Sequence, residues 1–170
     1  MNSEQLRALQ APLKTRYREA PEAALVTLRA RSKIGDDQIA CKLETGKALV
    51  TAGLHPATGG DGTLVCSGDM LLESLVACAG TTLKAVATAL NIPLKSGSVE
   101  AEGDLDLRGT LGVAKDAPVG FRAIRLRIEL DTDAPAEQVA KLLELTERYC
   151  VIYQTLRHPP AIQTSHGAQR

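Results

Sequence analysis

Aromatic residues are almost missing from this chain. Trp is absent, Phe121 is the lone phenylalanine, and aromatics make up 2% of 170 residues. A core must therefore be assembled from Leu, Val, Ile and Ala. The stacking platforms that single-strand nucleic-acid binders use are also lacking. Net charge is missing as well: twenty basic and twenty acidic side chains cancel. No global field draws the chain to nucleic acid or to an anionic membrane, so neither is expected as a partner. Residues 1–20 are polar and charged, without the apolar run of a signal peptide. A cytoplasmic location is expected. The four cysteines, Cys41, Cys66, Cys78 and Cys150, lack the close spacing of a disulfide framework. Cys-x-x-Cys is absent, and His55, His158 and His166 show no ligand spacing. No cofactor is expected, and a metal site would need residues brought together from afar.

What is present centres on Ser67 to Asn91, SGDMLLESLVACAGTTLKAVATALN. The spacing predicts one long helix, capped by Ser67 or Asp69 and closed before Pro93. Past Asp69 only Glu73 and Lys84 carry charge, so the helix is expected to be buried on several sides. Two such helices enclosed by both subunits of a dimer would satisfy that demand. Cys78 sits among Ala77, Ala79 and Gly80, small neighbours that let another segment or a small substrate approach the sulfur.

Around this helix the pattern alternates between sheet and helix. Residues 3–18 favour a helix with Leu6, Leu9 and Leu13 on one thin face, kinked or divided by Pro12. It reads as an N-terminal extension, residues 1–20, lying on the body formed by residues 21–170 or on a partner subunit. Strands are predicted at 24–34, across QIACKLETG (38–46), at 48–52, at 94–108 and at 121–131. The Gly-rich stretch 53–63 is a loop without a P-loop signature. Acidic positions (Glu100, Glu102, Asp104, Asp106) on one strand and basic ones (Arg125, Arg127) on another suit cross-strand pairing on a solvated face. Residues 133–149 predict an amphipathic helix with Asp133 as cap and Val139, Leu142, Leu143 and Leu145 inward. A short helix from Cys150 and a closing strand at 161–165 complete the chain. Strands and helices in blocks predict an α+β fold, helices against one face of antiparallel sheets.

Two thiol readings stand beside plain burial. Free cysteine is among the most buried residue types, which alone explains Cys78 and Cys150. Alternatively, a thiolate attacks peroxide to give a sulfenic acid, and a second cysteine within disulfide reach resolves it. A Cys78–His158 hydrolytic pair has no local support. Cys41 alternates with inward residues and reads as core. Cys66 reads as a loop or core thiol, or as a competing resolving thiol.

The segments MLLESLVACAGTTLKAVA and ELTERYCVIYQTLRHPPAIQTS resemble the OsmC/Ohr family of bacterial thiol-dependent peroxidases. The similarity runs from about residue 25 onward, and RYREAPEAALVTLRA resembles a branch with a longer N-terminus. The resemblance implies a two-layer α+β unit in an intertwined homodimer. It implies Cys78 as peroxidatic and Cys150 as resolving cysteine in oxidative-stress defence. The substrate would be hydrogen peroxide or an organic hydroperoxide, and the reductant a small dithiol or a lipoylated protein. Leu71, Leu75 and Thr82 would floor the substrate site. A supporting arginine is sought in Arg31, with Arg29 and Lys33 beside it. The carboxylate candidate is Asp69, where glutamate is usual in the family, with Glu73 second. Val151 stands where proline is frequent. The other reading of the same likeness is a non-catalytic member that binds a ligand or senses redox state between its helices.

Overall fold

In the computed structural model, which describes residues 3–34, 41–43 and 52–165, helix α2 (Ser67–Ala89) is the element everything else covers. Leu72, Leu75, Val76, Ala79, Leu83 and Ala87 recur every three or four residues, which puts them on one side of the helix. They pack against Val99 and Ala101 of the sheet, and against Leu142 and Cys150. The cap differs from expectation. Cys66, not Ser67 or Asp69, precedes the first turn, and its thiol accepts the Gly68 N–H at 3.4 Å. By length and mean hydropathy (1.4) α2 would also suit a bilayer.

The sheet has four strands in the order β2–β1–β5–β6, all antiparallel: β1 (Leu25–Ile34), β2 (Cys41–Leu43), β5 (Ser96–Asp106) and β6 (Phe121–Asp131). β3 (Ala52–Gly53) and β4 (Val65–Cys66) form a separate parallel pair. The remainder of the expected strands at 38–46 and 48–52 lies outside the described residues. Strict alternation puts Ile124, Leu126, Ile128 and Leu130 of β6 inward. On the outer face Arg125 grips Asp104 through two bonds of 2.6 and 2.9 Å and reaches Glu102 at 3.4 Å. Opposite charges thus meet across β5 and β6, which disfavours any register that would bring like charges together. Gly103 is one strand position where a β-carbon would collide with the Phe121 ring, so the missing side chain makes room for that ring.

Alternation fails at the end of β5. Asp106, expected to point outward, is buried, and Leu107 opens a short helix α3 (Leu107–Thr110) instead of extending the strand. The cause is a cap: the Asp106 carboxylate accepts the Arg108 backbone N–H at 3.1 Å and its guanidinium at 2.6–3.2 Å. These contacts outweigh burial and hold the carboxyl below its ordinary range. A depressed folded value contributes stability above the unfolded carboxylate value and loses it as pH falls through the folded one. Asp106→Asn is therefore expected to lower the melting temperature at pH 7 and to shrink the difference from wild type as the pH is taken towards 3. A gap that stays constant across that range would contradict the assignment.

Helix α1 (Ser3–Glu19) is not divided at Pro12. It lies on the body, anchored by Tyr17 with Leu13 beside it. Tyr17 is 2% exposed, packs with Ala24, Leu107 and Leu111, and donates from its hydroxyl to the Ala57 carbonyl at 2.6 Å. A second, smaller core therefore joins the N-terminal extension to the loop before β4.

Helix α4 (Ala136–Tyr149) begins at Pro135 without a side-chain cap; Asp133 instead pairs with Lys95 at 2.8 Å. Helix α5 (Val151–Arg157) follows with no spacer, since Cys150 ends one helix and starts the other. The expected closing strand at 161–165 is absent: those residues are exposed and carry no regular structure. α4 and α5 both pack on α2.

Candidate active site

The joint between α4 and α5 brings Cys150 onto α2 at Cys78, so two cysteines about seventy residues apart meet. Cys150 is 1% exposed, and Cys78 is half-buried. Burial pushes the Cys78 thiol up, but four donors outweigh it: the Ile152 backbone N–H, the Cys150 thiol, the Thr82 hydroxyl and the Val151 backbone N–H. The net result is a thiol below its ordinary value. Cys150 goes the other way. Burial, with the Cys78 sulfur beside it, pushes it up to about 11 against the pull of the Tyr153 N–H. The pair is thus split into one sulfur that ionises first and one that keeps its proton and donates it.

Thr82 stands four residues after Cys78, one turn along the same helix face, which is why its hydroxyl reaches the sulfur. Thr82→Val keeps the shape and removes the donor. The rate of Cys78 alkylation follows the thiolate, rising with pH through the thiol's value and then levelling. The Thr82→Val profile is expected to move to higher pH, with Thr82→Ser staying near wild type. Superimposable Val and wild-type profiles would remove Thr82 from the site.

Leu75 lies one turn before Cys78 and lines a groove of about 450 Å³ between α2, α5 and the inner face of β6. Phe121, Ile124, Ile128 and Leu156 supply its apolar walls, and Arg122 and Arg157 stand on its lining. Tyr153 donates to Glu147 at 3.0 Å and accepts from Arg157 at 3.2 Å, tying α5 back to α4. The volume falls within the range of small-molecule clefts. Leu71, in contrast, is 36% exposed and does not line the groove.

Of the other sequence candidates, Asp69, Glu73, Cys66 and His158 are not gathered at Cys78. Asp69 is nine residues earlier on α2, about 13 Å along the axis. Burial raises its carboxyl and His55 partly offsets this, while Glu73 is raised by burial and by Asp69. Asp69, Glu73 and His55 are a cluster of their own at the start of α2. Cys66, twelve residues from Cys78 on the same axis, lies about 18 Å away, too far to resolve it within one chain. His158 ends α5, at the opposite end from Cys78. In β1, Arg29, Arg31 and Lys33 are in register with Glu102, Glu100 and Ser98. Those positions alternate with Val99 and Ala101, the residues that cover α2. Cys41 falls where side chains are not described. Among the described residues no group of three or more His, Cys, Asp or Glu is arranged to hold a metal ion.

Sequence reasoning missed the amides of Val151 and Ile152, because a backbone donor leaves no side-chain signature. Comparison with known proteins gives three results. The profile of the OsmC-like protein family matches residues 60–165. The fold is similar to that of an OsmC-like hydroperoxide resistance protein from Jannaschia sp. CCS1, with 18% identity, 85% of this chain and 95% of that chain covered, and a TM-score of 0.59. It is also similar to an OsmC-like protein from Mycoplasma pneumoniae, with 16% identity, 76% and 86% coverage, and a TM-score of 0.56. Among curated proteins no sequence matches.

Proposed function

The chain belongs to the OsmC-like protein family, and on that premise we propose that it protects against peroxides as a thiol peroxidase. The observation that carries the reading is the contact between a thiol held low, Cys78, and a thiol held high, Cys150. A relative of the same fold is named a hydroperoxide resistance protein, which supports the same substrate class.

In this reading the Cys78 thiolate attacks one oxygen of the hydroperoxide. The S–O bond forms, the O–O bond breaks, and the departing alkoxide or hydroxide takes a proton from water. Cys78 becomes a sulfenic acid. Cys150 then attacks its sulfur, the hydroxyl leaves as water, and a disulfide joins the two residues. A dithiol, free or carried by a protein, returns both thiols and leaves as its own disulfide. The amides of Val151 and Ile152 and the Thr82 hydroxyl hold the thiolate, the task sought in Arg31 on the sequence. The groove beside Leu75 would take the apolar part of an organic hydroperoxide.

We place the protein in the cytoplasm as a homodimer. The exposed stripe of α2, with Leu71, Ser74 and Thr88, supports a second copy packing there. A solution mass near twice 18.0 kDa is expected, and a monomer at micromolar concentration would reject the dimer.

The deciding measurement is peroxide consumption with a dithiol reductant, using hydrogen peroxide and an organic hydroperoxide in parallel. Saturable turnover on either is expected. No consumption above the dithiol alone would sink the peroxidase reading. It would leave the groove as the ground for a ligand-binding or redox-sensing member.

A further inference from the structure

The first turn of α5 is held by sulfur. A helix leaves its first N–H groups without intrahelical partners. In α5 the Cys150 N–H bonds back to the Thr146 carbonyl at 2.9 Å. The next two, from Val151 and Ile152, lie towards Cys78 and help to lower its thiol, and the third, from Tyr153, donates to Cys150 Sγ at 3.4 Å. Only at Gln154 does the helix's own ladder begin, with a 2.9 Å bond to the Cys150 carbonyl. The first-turn amides therefore have the two cysteine sulfurs as their neighbouring acceptors, with the Tyr153 N–H bonded directly to Cys150. α5 has seven residues, too few to stay helical unaided. Its remaining hydrogen bonds to α4 run from the Tyr153 hydroxyl and the Gln154 side chain to Glu147, and Ile152, Tyr153 and Leu156 pack on the core, but neither supplies acceptors for the first-turn amides.

We propose that α5 is a redox-gated element: joining Cys78 to Cys150 withdraws the acceptors of its first turn, and the loosened turn exposes the buried disulfide to its reductant. The bond draws the sulfurs from hydrogen-bond contact to about 2.0 Å. Cys150 Sγ then moves off the Tyr153 N–H, and Cys78 loses the negative charge that its amide donors bind. The need for such a gate is in the burial. Cys150 is 1% exposed and Cys78 half-buried, so while α5 is closed a dithiol meets the pair only from the Cys78 side and has no path to the Cys150 sulfur. Reduction restores the acceptors and closes the turn again. The event that oxidises the pair in the cell rests on the peroxidase reading, but the gate itself does not.

Hydrogen exchange on the full chain, read by mass spectrometry, tests this without peroxide. Diamide oxidises the pair directly: two thiol protons and two electrons pass to its azo nitrogens, giving the hydrazine, and the S–S bond forms. Peptide mapping verifies the Cys78–Cys150 link. Amides from Val151 to Gln154 are expected to exchange on the order of 10-fold faster in the oxidised protein, as for a lost helix cap. Peptides around Leu83 should be unchanged. In Cys150→Ser the serine oxygen still accepts from Tyr153 and no bond can form, so diamide should leave α5 unaffected. Equal or slower exchange in the linked wild type overturns the proposal. So does the same acceleration in Cys150→Ser, or failure of diamide to join the two cysteines. A protein that passes this test yet consumes no peroxide keeps the gate and loses the peroxidase reading.

Discussion

Cys78→Ser is expected to abolish dithiol-dependent peroxide consumption, leaving only the slow direct reaction of peroxide with the reductant. A serine hydroxyl does not ionise near neutral pH, and the donors that hold a thiolate at position 78 then have no anion to hold. Cys150→Ser should behave differently. Its first turnover should proceed, because Cys78 keeps the amides and Thr82, and the cycle should then stop at the sulfenic acid. A sulfenic-acid trap should label Cys78 stoichiometrically, and excess peroxide should carry it on to the sulfinic form. Peroxide loss and intact mass, followed together, separate the two variants. Full turnover in Cys78→Ser would end its role as the attacking thiol. Equal, undiminished cycling in Cys150→Ser would show that another thiol resolves it. Cys66, about 18 Å away on the same helix, is excluded within one chain.

The largest expected loss of stability comes from Leu72→Ala. Leu72 is completely buried on the side of α2 that meets Val99, Ala101 and Leu142. Truncation there removes transfer energy and leaves a cavity, at a cost of about 3 kcal/mol within the usual range for such sites. In a chain of this size that lowers the melting temperature by roughly 10 °C. Leu71→Ala is the control, one position along and partly exposed. It should cost about 0.5 kcal/mol in a monomer, and more if its side of α2 is covered by a second chain. Thermal melts at several protein concentrations distinguish these cases. A Leu72→Ala loss no greater than that of Leu71→Ala would mean that the core is not centred where the packing puts it.

Much of the architecture could be read from periodicity. β6 runs from Phe121 to Asp131 as predicted because its alternation is strict and its outer charges are complementary to those of β5. α2 was legible because a long apolar run with small residues has little alternative to burial. Periodicity failed where one side chain redirects the backbone. Leu107 continues the alternation of β5, yet Asp106 captures the Arg108 amide and starts a helix. At 161–165 the composition allows a strand, but no described neighbour pairs with it. A cysteine as the cap of α2 was not foreseen, since sulfur is not a preferred capping atom.

The site was legible by residue type and not by reach. Cys78 and Cys150 have no spacing that compels contact; only the family resemblance joined them beforehand. Asp69 and Arg31 have the right chemistry for the supporting roles. The helix rise separates the first from Cys78, and the β1 register sets the second opposite Glu100. What surrounds the sulfur is supplied mainly by backbone N–H groups, which every residue except proline carries. The family's frequent proline after the second cysteine would remove one of them; Val151 keeps it.

The junction at Cys150 also imposes a rule on chain length. The Cys150 N–H closes the last turn of α4 on Thr146, and the Cys150 carbonyl opens the first turn of α5 at Gln154. Not one residue between those two positions is spare. A single insertion there turns everything after it by about 100°, one residue's share of a helical turn, and swings the Val151 and Ile152 amides away from Cys78. The linker 114–120, beyond the buried Leu111 and before β6, has no such duty, and added residues there would leave the sulfurs where they are. Insertions and deletions should therefore be tolerated in the linker and excluded between 146 and 154, whichever residues are used to make them.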